Sequence, residues 1–125
     1  MRLLLDTHIL LWWLQDHPRL SLPARNRIAG AEEVYVSSAS IWEAGIKFKI
    51  GKLDVQIDEL VTEISRNHFA ELAISHRHAA QVGRLPDIHR DPFDRMLVAQ
   101  AMCEPLRLLT ADRILANYSE LVEVV

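Results

Sequence analysis

Apolar positions along the chain follow two alternating rhythms, short unbroken runs and longer stretches spaced by three or four residues. The short runs have the length and composition of buried strands; the longer ones have the period of helices that lay one face on a sheet. Arg2–Leu5 reads as a first strand, followed by a helix through Leu10–Leu14 that stops before Pro18. Ser21 caps a second helix, with Pro23 in its first turn and Gly30 at its end. Val34–Ser37 is rich in β-favouring residues, and Ile41–Ile50 is helical up to Gly51. Ile57, Leu60, Val61 and Ile64 mark one face of a helix over Ile57–Asn67.

The same alternation continues to the end of the chain. Ala70–Ile74 reads as a strand, His76–Val82 as a short helix and Leu85–Asp91 as a loop. Pro92 stands where a helix begins, and Phe93–Met102 is apolar nearly all round, which predicts a buried helix. Leu106–Leu109, Arg113–Asn117 and Leu121–Val125 read as strand, short helix and last strand. Strands alternating with helices predict an α/β domain around a mainly parallel sheet of four to five strands. With 125 residues, no repeat and no linker-like stretch, one domain over residues 1–125 is expected.

Composition narrows the class. Half the residues are hydrophobic and a quarter charged, the balance of a globular chain rather than a disordered one. The opening run LLLDTHILLWWL is interrupted by Asp6 and His8, is shorter than a bilayer span and has no basic leader with a cleavage site. A cytoplasmic protein without a membrane segment is expected. Cys103 is the single cysteine, so no intramolecular disulfide forms. The net charge of −3 is not the footprint of a protein that grips nucleic acid by charge alone, although bound divalent ions would change that balance.

The chemistry lies in the acids. Ligands in an open parallel sheet bind beyond the carboxyl ends of the strands. Asp6 follows the first strand directly, Asp112 lies three residues after Leu106–Leu109, Glu43 sits early in the helix after Val34–Ser37, and Asp94 opens the buried helix. All four belong to one edge of the expected sheet. Carboxylates gathered in a small volume need a positive charge to neutralise them, and an all-oxygen donor set suits Mg²⁺ or Mn²⁺. One or two such ions can activate water and stabilise a phosphorus-centred transition state. No glycine-rich phosphate loop is present, so nucleotide hydrolysis of the P-loop kind is unsupported.

Four blocks carry a resemblance: LLLDTHILLW, SSASIWEAGIKFKIGKL, RDPFDRMLVAQA and LLTADRIL. The sequence resembles the PIN-domain ribonucleases over essentially its whole length, and is most similar to the VapC-like toxins of type II toxin–antitoxin pairs. RDPFDRMLVAQA is the most specific block. The resemblance implies a three-layer α/β/α sandwich, Mg²⁺- or Mn²⁺-dependent endoribonuclease activity, and control by an antitoxin. It implies that Asp6, Glu43, Asp94 and Asp112 hold the metal and are catalytic. Thr7 and Thr110 occupy positions where the family often has a hydroxyl beside the acids. With Lys47 and Arg95 they are candidate substrate contacts.

Each acid also has an ordinary structural explanation. Ser40-x-x-Glu43 is a capping box, in which Glu43 satisfies a helix N-terminus. Asp91 can cap the helix that Pro92 opens, leaving Asp94 a first-turn acid favoured by the helix dipole. Asp6 and Asp112 could be polar strand ends. Singly these explanations serve; together, at one edge and in four family-like blocks, they strain. Asp91 itself is read as structural. His76 and His78, two apart on a helix, diverge and read as surface or loop residues. His89, just before RDPFD, is a weaker candidate for substrate contact. Lys47, Lys49, Lys52, Arg90, Arg95 and Arg113 flank the acids, either as solvated surface or as phosphate contacts.

Trp12 and Trp13 are adjacent, so one can be core while the other points outward; an exposed indole there would suit a homodimer or antitoxin contact. Two rivals from outside catalysis remain, a receiver-like regulatory module and a PIN-like fold that only binds a partner. A receiver would want an acidic pair after the first strand, where this chain has Asp6, Thr7 and His8.

Overall fold

The computed structural model describes residues 2–125. Its elements run β1 (Leu3–Leu5), α1 (Thr7–Leu14), α2 (Leu22–Gly30), β2 (Val34–Ser37), α3 (Ser38–Lys49), α4 (Ile57–Arg66), β3 (Ala70–Leu72), α5 (His76–Val82), α6 (Pro92–Cys103), β4 (Arg107–Thr110), a 3₁₀ helix (Arg113–Asn117) and β5 (Val122–Val124). The five strands form one parallel sheet in the order β3-β2-β1-β4-β5. A receiver of the doubly wound type would show the order 2-1-3-4-5. The rival regulatory fold is thereby set aside.

β1 lies at the centre with its three leucines fully buried, which is why the opening run is unbroken rather than alternating. Leu3 and Leu5 face one side, against Ile9, Leu10, Ala24, Ile28, Ala44 and Leu60 of α1–α4. Leu4 faces the other, against Leu97, Val98 and Ala101 of α6 and Leu108 of β4. The result is a three-layer α/β/α sandwich. Each fully buried leucine contributes about 1.5–3 kcal/mol of burial, so the central strand is the firmest place from which to project a functional side chain.

Helix starts differ from the sequence expectation by an informative margin. α1 begins at Thr7 rather than near Leu10, because the Asp6 carboxylate accepts the Ile9 N–H at 2.8 Å and caps the helix directly after the strand. α3 begins at Ser38 with Ser37 as its cap, its hydroxyl accepting the Ala39 N–H. Glu43 therefore lies in the second turn, and the Ser40–Glu43 capping box, the ordinary structural alternative for this acid, does not form. β3 ends at Leu72, two residues short of the expected strand.

His78 is a second correction. Expected at the surface or in a loop, it is buried in α5. Its Nδ1 accepts the Ser75 N–H, Ser75 Oγ accepts the His78 N–H, and Nε2 meets the Glu104 carboxylate at 2.6 Å. With Nδ1 accepting, the ring proton belongs on Nε2, which donates to Glu104. His78 thus caps α5 and ties it to the end of α6. His76 is exposed, as expected. Among the described residues no helix is long and apolar enough to cross a membrane.

Candidate active site

The strand order reverses between β1 and β4, and both strands end in an acid-bearing turn. Such a switch point opens a crevice because the connections leave in opposite directions. Asp6 and Asp112 flank it, Glu43 enters from α3 and Asp94 from the first turn of α6. A cleft of about 300 Å³ is lined there by Asp6, Asp94 and Asp112 together with His8, Trp12, Arg19 and Ala111.

Asp6 is 4% exposed. One carboxylate oxygen caps α1, and the other accepts the Thr110 hydroxyl at 2.5 Å. Burial pushes the Asp6 carboxyl above its ordinary range and the Glu43 charge adds to this, while the hydrogen bonds from Thr110 and Ile9 and the charge of His8 work against it. Asp94 is pushed up to about 7 by burial, then by the charges of Asp91, Asp6 and Glu43, with His89 opposing. The three acids Asp6, Glu43 and Asp94 therefore feel one another's charge.

Glu43 completes this group with 5% of its surface exposed. Its Oε2 pairs with Lys47 Nζ at 3.2 Å, one turn along the helix. Its Oε1 is buried and, among the described residues, has no hydrogen-bond partner. A buried carboxylate oxygen without a donor is costly unless something positive completes it. An oxygen-preferring divalent cation meets that need, so the residues present fit one.

Asp112 sits at the rim. Its Oδ1 caps the 3₁₀ helix through the Ile114 N–H, and its Oδ2 lies 2.9 Å from His89 Nε2, which is 3.8 Å from Asp94 Oδ2. One donor atom each from His89, Asp94 and Asp112 falls within 4.8 Å of the others. The structure thus brings all four sequence-identified acids to one edge and adds His89 to them. Asp91 is a helix cap, accepting the Phe93 and Asp94 N–H groups, as read from the sequence.

The expected substrate contacts fare differently. Thr7 and Thr110 are buried and spend their hydroxyls inward, Thr7 on Ser40 and Thr110 on Asp6, so neither presents a free group to a substrate. Arg95 also turns inward: its guanidinium donates to the Val82 and Pro86 carbonyls and to the Tyr118 hydroxyl. Lys47 is paired with Glu43. Exposed cations near the acids are Arg19, Arg90 and Arg113.

Sequence reasoning passed over Arg19 and His8. His8 could have been noticed two residues after Asp6; Arg19 carries no local signal, since only the turn through Pro18 returns it to the cleft. The adjacent tryptophans also part company. Trp12 lines the cleft between His8 and His17, whereas Trp13 donates its indole N–H to Asn67 and packs near Phe69. The strongly exposed indole is Trp42, at 62%, with its ring edge against Phe93.

An open parallel α/β sandwich with carboxylates gathered at its switch point is the arrangement that comparison with known proteins then places. The family model described as PIN domain matches residues 3–121, and the chain belongs to the PIN-domain family. It is 31% identical over 117 residues to Ribonuclease VapC22 of Mycobacterium tuberculosis strain H37Rv, covering 92% of this chain and 90% of that one. Among solved structures it is similar to VapBC2 from Rickettsia felis bound to a promoter DNA fragment, with a TM-score of 0.73, 16% identity, and coverage of 100% and 99% of the two chains. It is also similar to a toxin–antitoxin complex from Klebsiella pneumoniae, with a TM-score of 0.67, 19% identity and coverage of 97% and 95%.

Proposed function

We propose that this chain is a metal-dependent endoribonuclease and the toxin of a toxin–antitoxin pair, with Asp6, Glu43 and Asp94 as the principal metal-holding acids and Asp112 completing the acidic rim. The observation that carries the reading is Glu43 Oε1, buried and unpartnered beside two carboxyls that burial and mutual repulsion keep protonation-prone. Membership of the PIN-domain family and the likeness to Ribonuclease VapC22 support RNA as the substrate. Mg²⁺ or Mn²⁺ bound there would supply the charge that activates water and stabilises the phosphorus-centred transition state.

The chain's own groups do the rest. Thr110 and the Ile9 N–H fix the Asp6 carboxylate, and Lys47 balances the far oxygen of Glu43. Asp91 fixes the start of α6 and hence Asp94. Arg19, at the mouth of the cleft, is placed to meet a phosphate. An antitoxin is the expected partner; its support is the toxin–antitoxin neighbour in fold and an unpartnered apolar face on α3 and α4, where Trp42, Ile46, Ile50 and Val61 are all exposed. Two readouts test the whole reading. The purified chain should cleave single-stranded RNA with Mg²⁺ or Mn²⁺ and be silent in EDTA, and Glu43→Gln should abolish cleavage while keeping the fold. Cleavage at an undiminished rate in EDTA would overturn the metal mechanism, and a metal-binding chain inert on a broad panel of cellular RNAs would favour the partner-binding alternative.

A further inference from the structure

His89 differs in chemistry from the two acids it stands against, Asp94 and Asp112. Together with Asp94 and Asp112 it offers donor atoms close enough to surround a cation. The position of its proton argues against that use. Nδ1 accepts the Asp91 N–H at 3.0 Å, so the ring proton belongs on Nε2. That N–H points at Asp112 Oδ2, 2.9 Å away, with Asp94 Oδ2 at 3.8 Å. A nitrogen that carries a proton has no lone pair to give to an ion. What it does present to the two carboxylates is the positive end of an N–H dipole, the same service a bridging cation would perform.

The backbone that carries the ring is held as well. The main-chain N–H of His89 donates to the Tyr118 hydroxyl at 2.7 Å, and Arg95 donates to that same hydroxyl at 3.1 Å and to the Pro86 carbonyl at 3.0 Å. Swinging the imidazole away would strip the Asp91 N–H of its acceptor, directly beside the cap of α6. Asp112 has both oxygens engaged, by His89 and by the Ile114 N–H. Glu43 Oε1, buried without a partner, and the Asp94 carboxylate, which only neighbours the His89 ring at 3.8 Å, remain the uncommitted donors.

We propose that His89 takes, with its Nε2 proton, the place a second divalent ion would occupy between Asp94 and Asp112, so that the chain holds a single ion on Asp6, Glu43 and Asp94. This rests on the reading of the acids as a divalent-metal site. Arg95 and Tyr118 become positioning residues for His89, which accounts for an arginine directed into the protein rather than at substrate.

Counting bound Mn²⁺ on the full chain tests it, by calorimetric titration together with electron paramagnetic resonance of the free ion. Wild type should bind one ion per chain and His89→Ala two, because removing the ring frees the Asp94–Asp112 gap. His89→Gln, whose side-chain amide can still donate, should return the count to one. In the metal-free protein the imidazole ¹⁵N spectrum should show His89 as the Nε2–H tautomer, a readout that needs no variant. Two ions in wild type, one ion in both wild type and His89→Ala, or the Nδ1–H tautomer would each overturn the proposal while leaving a metal site standing. No Mn²⁺ binding by wild type would overturn it together with the metal reading beneath it.

Discussion

Asp94 accepts no hydrogen bond among the described residues, yet it stands in the first turn of a helix and within reach of three other acids. Two physical readings of it differ in sign. As a first-turn acid it would favour the helix dipole, and Asp94→Asn would cost roughly 0.3–1 kcal/mol with or without metal. As one acid in a crowd, its ionisation opposes folding. Its carboxyl is raised from 3.8 to about 7 in the folded protein, so between those values the folded state binds more protons than the unfolded one. Stability of the metal-free protein should then fall as pH rises from about 4 through 7, and the Asp6 shift acts in the same direction. We expect Asp94→Asn to flatten that decline, to melt at or above wild type at pH 8 without metal, and to lose most of the Mn²⁺-induced rise in melting temperature. A variant that melts lower than wild type at pH 8, with an unchanged response to Mn²⁺, would return Asp94 to the helix dipole. The arginines divide by the same scrutiny. Arg95→Ala should cost about 1–3 kcal/mol of stability, since it removes the charge-assisted hydrogen bonds that tie the Val82 and Pro86 carbonyls and the Tyr118 hydroxyl to α6, and should leave the salt dependence of RNA binding alone. Arg19→Ala should do the reverse, lowering the slope of log affinity against log salt by about 1. Equal slopes for Arg19→Ala and wild type in filter binding would remove Arg19 from the RNA path.

Elements explain why some of this was legible in the chain and some was not. Strand interiors were plain, because a parallel sheet covered on both faces leaves runs such as LLL and VYV with no charged residue to interrupt them. Helix starts were not, because three acids at or beside the candidate site double as caps: Asp6 for α1, Asp91 for α6 and Asp112 for the 3₁₀ helix. A side chain that ends a strand and caps the next helix compresses the junction, so α1 opens earlier than its apolar period suggests. The acids themselves were readable from strand ends, since their placement depends on local junctions. His89, His78 and Arg19 depend on long-range returns of the chain, from His89 to Asp112, from His78 to Glu104 and from Arg19 to the β1 end, which no local spacing encodes. α5 shows the consequence in energy. At seven residues it is too short to be stable alone, and the buried His78–Glu104 bond with the Ser75 cap holds it on α6. His78→Leu should therefore destabilise the protein by about 1–3 kcal/mol without changing Mn²⁺ affinity, checked by urea unfolding beside metal titration. A loss of metal affinity as large as the loss of stability would mean that α5 supports the acidic edge more directly than its position suggests.

At the scale of the whole molecule, two features point outward, the acidic cleft at the β1–β4 switch point and the apolar face of α3 and α4. They are neighbours through Trp42, whose ring meets Phe93 one residue before Asp94. An occupant of the apolar face would therefore press on the start of α6. The expectation from sequence placed association at Trp12–Trp13, but those indoles line the cleft and bond to Asn67, and the solvent-facing aliphatics gather instead at Ile46, Ile50 and Val61. A run of exposed large apolar residues on two adjacent helices is the usual mark of a partner surface rather than of free surface. The wild-type chain should sediment as a homodimer or bind its antitoxin through this face, and Ile50→Asp combined with Val61→Asp should abolish that association. Both side chains are half-exposed or more, at 60% and 50%, so the double variant should keep the wild-type stability within about 0.5 kcal/mol and keep its Mn²⁺ response. Trp42 fluorescence supplies the direct readout: it should be open to iodide quenching in the double variant and shielded in the associated wild type. Association that survives both substitutions, with Trp42 still quenched as freely as in the monomer, would move the partner surface elsewhere and leave the α3–α4 face as ordinary solvent boundary.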